Sequence, residues 1–318
     1  MQGRSRVQSG GGCTVSKDLS VTVAGVKFPN PVIAASGTYG FGQDYTDLYP
    51  VSKLGGISCK GTTLEPRNGN PAPRIAETPS GMLNSVGLQN PGIDMFISGY
   101  LPQLKEEGNV IIANIAGATL DDYKQAAERL EETDVDMIEL NISCPNVKEG
   151  GASWGVTCEG AAAVTKTVRS VTKKPLMVKL TPNVTNIVDI AKAAEAEGAD
   201  SLSLINTMLG MRIDIRTRRP ILKNNVGGLS GPAIFPVALR MVWQVANAVN
   251  IDVVGMGGIA TTDDAIEMMM AGAKAIQMGT AIFTDPYAPL KVIDGLKQYM
   301  KVNNLNSLEE IVGTVQLW

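Results

Sequence analysis

The stretch DMIELNIS, residues 136–143, is an almost continuous apolar run that ends in polar residues and leads into CPNVKEGG, residues 144–151. Short runs of this kind are typical of β-strands that are covered on both faces, as in parallel sheets. The Pro, Asn and Gly residues that follow indicate a loop. The stretch therefore predicts a buried parallel strand whose carboxyl end opens into a loop with polar side chains.

Seven further runs of the same type occur along the chain, and helical patterns separate most of them. They are PVIAAS (31–36), GGISCK (55–60), NVIIANIAG (109–117), PLMVKL (175–180), DSLSLIN (200–206), IDVVGMGG (251–258) and KAIQMG (274–279). Eight strands with crossover helices predict an α/β fold of the (β/α)8 TIM barrel type, with an open doubly wound sheet as the alternative. The alternating segment LSVTVAGVKF (19–28) predicts a β-hairpin at the bottom of the barrel.

The segments between the runs predict helices with defined ends. A helix over 119–134 begins with Thr119 as its cap, and helices over 185–200 and 261–274 end at Gly198 and Gly272. Two connections, 61–92 and 207–232, are unusually long. Because both follow strand ends, where the active sites of barrels lie, we expect them to be functional loops.

The bulk composition narrows the class of protein. A length of 318 residues fits two ordinary domains or one large barrel, and we expect a flexible tail over 1–16 and one barrel domain over 17–318. The net charge of −3 and the pI near 5.3 give no reason to expect nucleic acid or a membrane surface as a partner. An N-terminus without an apolar signal core predicts a cytoplasmic protein.

The chain contains no histidine, which excludes several kinds of active site. Without imidazole there is no Ser-His-Asp triad, no Cys-His pair and no histidine-held metal. The four cysteines, Cys13, Cys59, Cys144 and Cys158, form no CxxC pair, so an iron–sulfur cluster within this chain is not expected. Proton transfer must therefore use Cys, Lys, Asp, Glu, Tyr or a cofactor.

Polar side chains stand at the carboxyl ends of six predicted strands and in the loop after the second. They are Ser36, Lys60, Asn84, Asn114, Asn141, Cys144, Asn146, Lys179, Asn206 and Thr207. Two lysines at one barrel mouth favour an anionic or electron-rich ligand, although lysines at a barrel rim can also extend to solvent. Asparagines present donors and acceptors together, which suits a flat neutral ring such as a pyrimidine or a flavin, although asparagine also favours turns.

The last two predicted strands end in glycine, in GMGG (255–258) and MGT (278–280). Barrels often bind phosphate there on exposed backbone N–H groups, and GLSGPAIF (228–235) could complete the cradle. Residues 255–260 also fit the G-x-G-x-x-A dinucleotide fingerprint. That fingerprint requires an acid at the end of the next strand, where this chain has Gln277 and Met278, so a phosphate cradle is the better interpretation.

Cys144 is the candidate reactive thiol. Cys59 lies within a strand and Cys158 lies near a helix start, so both are interpreted as structural. Cys144 is expected to face the asparagine cluster; it precedes Pro145, and its loop contains two adjacent glycines. A thiol with a reference pKa near 8.5 can act as a base when a positive group lowers that pKa.

The motifs NISCPNVKEGG, ANIAG, MVKL, NSVGLQNPG and MGGIATTDDAIEMMMAGAKAIQMGTAIF together closely resemble those of class 1 dihydroorotate dehydrogenases, from about Leu19 to the C-terminal segment. The resemblance implies an FMN-containing barrel that oxidises dihydroorotate to orotate in pyrimidine synthesis, with Cys144 as the catalytic base. The run CPNVKEGG resembles the NAD-linked 1B form. Such enzymes are heterotetramers of two plus two chains, built on a homodimer core, whose partner subunit carries FAD and an iron–sulfur cluster.

The resemblance also implies ligand-binding residues. The FMN-binding positions are Ser36, Lys60, Gly61, Asn114, Asn141, Lys179, Ile205, Gly231, Gly257, Gly258, Gly279 and Thr280. The substrate-binding positions are Lys60, Asn84, Ser85, Val86, Gly87, Leu88, Asn141, Asn146, Asn206 and Thr207. The alternatives are a 1A-like homodimer that uses fumarate, a relative that acts on other dihydropyrimidines, and a flavin-free phosphate-binding barrel.

Overall fold

In the computed structural model, which describes residues 17–143 and 154–318, eight parallel strands close into a barrel. The strands of the protein are β1 (Val21–Val23), β2 (Val26–Phe28), β3 (Val32–Ala34), β4 (Gly56–Ser58), β5 (Ile75–Thr78), β6 (Gly81–Asn84), β7 (Ile111–Ile115), β8 (Met137–Asn141), β9 (Leu176–Lys179), β10 (Ser201–Leu204), β11 (Met208–Gly210), β12 (Ile213–Asp214), β13 (Arg219–Pro220), β14 (Gly227–Ser230), β15 (Asp252–Met256) and β16 (Ala275–Met278). Around the barrel the order is β3, β4, β7, β8, β9, β10, β15 and β16, and β16 pairs with β3 to close it. The predicted barrel is confirmed, and the open sheet is wrong.

Helices follow most of the barrel strands. They are α1 (Ile93–Met95), α2 (Leu101–Glu106), α3 (Leu120–Glu131), α4 (Cys158–Arg169), α5 (Ile187–Ala196), α6 (Phe235–Ala246), α7 (Thr262–Met270), α8 (Ala281–Thr284) and α9 (Ala288–Val302). Thr119 caps α3 as predicted, because its side chain accepts a hydrogen bond from the Asp122 N–H while the Asp122 carboxylate accepts one from Thr119. Gly198 and Gly272 follow α5 and α7 with φ of +95° and +119°, a backbone region that favours glycine. None of the helices in the described part of the chain has both the length and the apolar character that crossing a bilayer requires.

The strand residues of the barrel are buried on both faces, which explains their nearly continuous apolar sequence. Every residue of β7, β8, β9 and β10 is buried. The predicted hairpin is present as the antiparallel pair β1 and β2, and the Ala24 N–H donates to the Asp252 carboxylate at the start of β15. The hairpin therefore lies against the amino-terminal end of the barrel, away from the strand ends that carry the candidate site.

The two long connections are more regular than the sequence indicated. Residues 61–92 contain β5 and β6, and residues 207–232 contain β11 to β14. Strands β11, β14, β6 and β5 form one antiparallel sheet, in which the pairing of β14 with β6 joins the two connections. Because the connections leave the carboxyl ends of β4 and β10, this sheet lies beside the mouth of the barrel.

Candidate active site

A cavity of about 450 Å³ opens at the carboxyl ends of the barrel strands. Its volume is in the range of small-molecule sites. Most of the site residues that the sequence predicted line this cavity: Ser36, Lys60, Gly61, Asn84, Val86, Gly87, Leu88, Asn141, Lys179, Ile205, Asn206, Thr207, Gly231, Gly257, Gly258, Gly279 and Thr280. The structure thus brings together residues from seven barrel strands and both long connections.

Among the described residues, two predicted site residues do not line the cavity. Ser85 and Asn114 are buried behind its wall, and Asn114 lies so close to Gly61 that a Cβ on Gly61 would be 2.8 Å from its Oδ1. Cys144 and Asn146 lie outside the described residues, as does the predicted tail over 1–16. Cys59 is buried as predicted, and burial raises the pKa of its thiol far above the usual range.

Both predicted lysines face the cavity. Lys179, at the end of β9, is only 5% exposed, and its ammonium group donates to the Ser36 hydroxyl at 3.2 Å. Lys60, after the end of β4, has its Nζ 3.9 Å from the position of a Cβ on Gly37, the residue that follows Ser36. A buried ammonium group is costly unless an anion or an electron-rich group compensates it. The buried Lys179 and the half-buried Lys60 at one cavity indicate a ligand with negative charge or electron-rich oxygens.

The asparagines form a directed chain of hydrogen bonds from the barrel interior to the cavity wall, here called the asparagine relay. The Asn141 amide donates to Asn114 Oδ1 at 3.4 Å, and its own oxygen accepts from the Ser143 hydroxyl at 2.9 Å. Ser143 Oγ accepts from the Asn206 amide at 2.6 Å, and Asn206 Oδ1 accepts from the Thr207 N–H at 2.8 Å. These amides have fixed orientations and are therefore suited to recognise one arrangement of donors and acceptors.

Glu139, in the middle of β8, is a fully buried carboxylate that was not among the predicted site residues. Two residues before Asn141, it lies one step deeper on the inward face of the strand. Its Oε2 accepts from the Ser58 hydroxyl and the Asn114 amide, both at 2.6 Å. Its Oε1 accepts from the Ser203 hydroxyl at 2.7 Å and from the Gln277 amide at 2.8 Å. The sequence does contain a sign of this carboxylate, because a glutamate within an otherwise apolar strand is unusual.

The surroundings of Glu139 favour the ionised form of its carboxylate. Burial acts to raise its pKa, but the Lys179 charge and the hydrogen bonds from Ser58, Ser203 and Asn114 bring the pKa below its ordinary value of 4.5. A lowered folded-state pKa stabilises the fold at pH values above the unfolded-state pKa. This contribution is fully present at neutral pH and is lost as the pH falls below about 4.5 through the folded-state value.

Backbone N–H groups add to the polar surface of the cavity. No acceptor within the described residues takes a hydrogen bond from the N–H groups of Gly257, Gly258 or Gly279. Gly257 and Gly258 have φ of +119° and +80°, and a Cβ on Gly258 would lie 2.7 Å from that of Phe235. The strand end can therefore turn here, next to α6, only with glycine. The arrangement agrees with the predicted phosphate cradle.

Replacing Gly258 with alanine is expected to lower the free energy of unfolding by about 2 kcal/mol or more, because the left-handed backbone and the contact with Phe235 are both unfavourable for a Cβ. Gly279→Ala is the matched control, since a Cβ there would meet its nearest neighbour at 3.5 Å. We expect that control to stay within about 0.5 kcal/mol of the original protein in urea unfolding. Equal losses in both variants would contradict the assignment of strain to Gly258.

Known proteins match the chain over nearly its whole length. The family profile described as dihydroorotate dehydrogenase matches residues 18–300. A Bacteroides thetaiotaomicron protein is 53% identical over 94% of this chain and 99% of its own length, and an Alkaliphilus oremlandii protein is 54% identical over 93% and 98%. A Desulforamulus reducens protein is 51% identical over 94% and 99%. All three are named dihydroorotate dehydrogenase B (NAD(+)), catalytic subunit. Matches of this extent confirm the resemblance seen in the motifs, and the chain belongs to the dihydroorotate dehydrogenase family.

Proposed function

We propose that this chain is the catalytic subunit of an NAD-linked dihydroorotate dehydrogenase, which oxidises dihydroorotate to orotate in the synthesis of pyrimidines. The observation that supports this most is the meeting of Lys60, Lys179, the asparagine relay and the N–H groups of three glycines at one cavity. The names of the relatives favour the NAD-linked enzyme over the fumarate-linked enzyme, other dihydropyrimidine dehydrogenases and a flavin-free barrel.

The cavity fits FMN as the cofactor. A phosphate can bind to the N–H groups of Gly257, Gly258 and Gly279, which have no acceptor within the described residues. A polar ring can be bound by Lys179 and by Gln277, whose buried Oε1 has no hydrogen-bond partner in the described part of the chain. The residues that would hold FMN are Ser36, Lys60, Gly61, Asn114, Asn141, Lys179, Ile205, Gly231, Gly257, Gly258, Gly279 and Thr280. FMN, when bound, supplies the acceptor for a hydride.

The substrate would bind in the part of the cavity that residues of the two long connections line. Its neutral ring has N–H and C=O groups, which the fixed amides of Asn141 and Asn206 can pair with, and Lys60 can balance its carboxylate. The substrate-binding residues would be Lys60, Asn84, Ser85, Val86, Gly87, Leu88, Asn141, Asn146, Asn206 and Thr207. Ser85 differs from the others because it is buried and its N–H donates to the Arg74 carbonyl. It would therefore position its neighbours and not contact the substrate.

Cys144 would be the general base. Oxidation of the ring removes a hydride and a proton from adjacent carbons, and the cysteine thiolate would take the proton alpha to a carbonyl. The family motif that begins at Asn141 places Cys144 three residues after a side chain of the cavity wall. Lys60 and Lys179 supply positive charge at this cavity, which favours a thiolate over a thiol.

The partners follow from the same proposal. The electrons would leave through a second subunit that carries FAD and an iron–sulfur cluster, in a heterotetramer of two plus two chains with a homodimer core. The term catalytic subunit in the names of the relatives supports the existence of a partner. Residues 17–318 would form the single FMN-binding domain, and the enzyme would act in the cytoplasm.

The visible spectrum of the purified full chain, before and after anaerobic addition of dihydroorotate, tests the proposal. We expect a yellow protein that bleaches on addition of dihydroorotate. Dihydrouracil serves as the control ligand and should leave the spectrum unchanged. A yellow protein that dihydrouracil alone bleaches would contradict the substrate, and turnover with fumarate in the absence of a partner would contradict the NAD-linked assignment. A colourless protein that FMN does not reconstitute would overturn the proposal entirely.

A further inference from the structure

The buried carboxylate of Glu139 dictates the orientation of two amide groups. An ionised carboxylate only accepts hydrogen bonds, so Asn114 and Gln277 must both turn their nitrogen atoms toward it. Asn114 then presents its oxygen to Asn141, which is the first step of the asparagine relay. The orientation of every amide in the relay is therefore set from the barrel interior.

Glu139 also fixes the orientation of Gln277, which lines the cavity. Its side chain is 1% exposed and lines the cavity, and its Nε2 donates to Glu139. Its Oε1 is buried without a hydrogen-bond partner among the described residues. A buried acceptor without a partner is costly, and a bound ligand with an N–H group would remove that cost. Glu139 thus makes Gln277 an acceptor, and not a donor, toward the ligand.

Glu139 also places one negative charge below the cavity. Its hydrogen bonds come from the uncharged side chains of Ser58, Asn114, Ser203 and Gln277, so none of them neutralises it. Lys179 lies on the adjacent strand, where it pairs in register with Asn141 and Ser203. A ligand in the cavity therefore experiences Lys179 together with the opposing charge of Glu139.

We propose that Glu139 is a positioning residue that sets both the hydrogen-bond polarity of the cavity floor, through Gln277 and Asn114, and the reduction potential of the bound FMN. This inference rests on the proposed function, because it takes FMN as the ligand. The carboxylate opposes electron uptake by the flavin, whereas Lys179 favours it. Electrons that enter from dihydroorotate can then leave readily toward the next acceptor.

Glu139→Gln is the direct test, because it removes the charge and keeps the shape. The amide nitrogen of the new side chain fits best beside Ser203 and Gln277. The Ser203 hydroxyl can accept a hydrogen bond from it, and the Gln277 amide can exchange its nitrogen and oxygen so that its oxygen accepts one too. If Asn114 inverted instead, the amide of Asn141 would have to invert as well. Its nitrogen would then face the Ser143 N–H, which donates to Asn141 Oδ1 at 3.2 Å, and the relay would break there. We therefore expect an inverted Gln277, weaker FMN binding and an FMN that is easier to reduce.

The experiment measures the midpoint potential of FMN bound to the full chain by equilibration with redox dyes, and the FMN affinity by fluorescence titration. For Glu139→Gln we expect at least a tenfold shift toward reduced FMN, which is about 30 mV for a two-electron couple. The conservative Glu139→Asp variant keeps the charge and should keep the potential. Ser203→Ala is the matched control, because it removes one hydrogen bond to Glu139 and leaves the charge.

An unchanged potential in Glu139→Gln with FMN bound would overturn the inference, and so would an equal shift in Ser203→Ala. If Glu139→Gln does not fold, Gln277→Leu decides. It removes the acceptor on the cavity floor together with one hydrogen bond to Glu139, and Ser203→Ala, which removes only a hydrogen bond to Glu139, controls for the second loss. FMN affinity at least fivefold weaker in that variant supports the inference, and unchanged affinity overturns it. Failure of the original chain to bind FMN would instead contradict the proposed function, so the two failures can be told apart.

Discussion

Cys144→Ala is expected to bind FMN normally and to slow the reduction of that FMN by dihydroorotate at least about 100-fold, because a positioned general base typically contributes 10²–10⁴-fold. Alanine removes the group that takes the proton and leaves the cavity residues of the barrel unchanged. The measurement is anaerobic stopped-flow absorbance of the FMN band after mixing with dihydroorotate. Reduction at the original rate would contradict the role of Cys144.

Two further variants separate the base from general effects of a lost thiol. Cys158→Ala removes a half-buried cysteine at the start of α4 and should leave the rate of FMN reduction unchanged. Cys144→Ser should retain slight activity that rises toward high pH, because a hydroxyl is a far weaker acid than a thiol with a reference pKa near 8.5. A pH profile of Cys144→Ser equal to that of the original chain would show that another group takes the proton.

The barrel could be predicted from the sequence because its strands are covered on both faces. A run such as MIELN in β8 is buried at every residue, so the apolar sequence marks the strand directly. The sheet formed by β5, β6, β11 and β14 could not be predicted in this way. Its strands are short and partly exposed, and its pairing joins residues about 145 positions apart in sequence, such as Asn84 with Gly228. Pairing at that distance depends on the closed barrel that supports both connections.

The part of the candidate site formed by polar residues at strand ends could be predicted from the sequence. The part formed by residues deeper in the barrel could not. Lys179 and Asn141 mark the ends of their strands, and topology alone brings such ends together. Glu139 lies in mid-strand, where its partners come from four other strands. Whether such a carboxylate is ionised and hydrogen-bonded depends on register between strands. The sequence of one strand does not contain that register.

Lys179→Met is expected to slow FMN reduction by dihydroorotate about 10²–10³-fold, because a fixed positive group that stabilises developing negative charge in a dry site contributes on that scale. Methionine keeps much of the side-chain length and loses the charge and the hydrogen bond to Ser36. The midpoint potential of the bound FMN should fall, opposite in direction to the change expected for Glu139→Gln. Lys274→Met is the matched control, because Lys274 pairs with Asp252 at the opposite end of the barrel.

The same variant should also destabilise the fold in a pH-dependent way. Without Lys179 the Glu139 carboxylate loses the charge that lowers its pKa, and an uncompensated buried charge costs up to about 3 kcal/mol at neutral pH. The cost should vanish as the pH falls and Glu139 takes up a proton, because the neutral acid needs no counter-charge. Adding Glu139→Gln should recover most of the lost free energy of unfolding at pH 7. Additive losses in the double variant, measured by urea unfolding, would contradict the coupling between Glu139 and Lys179.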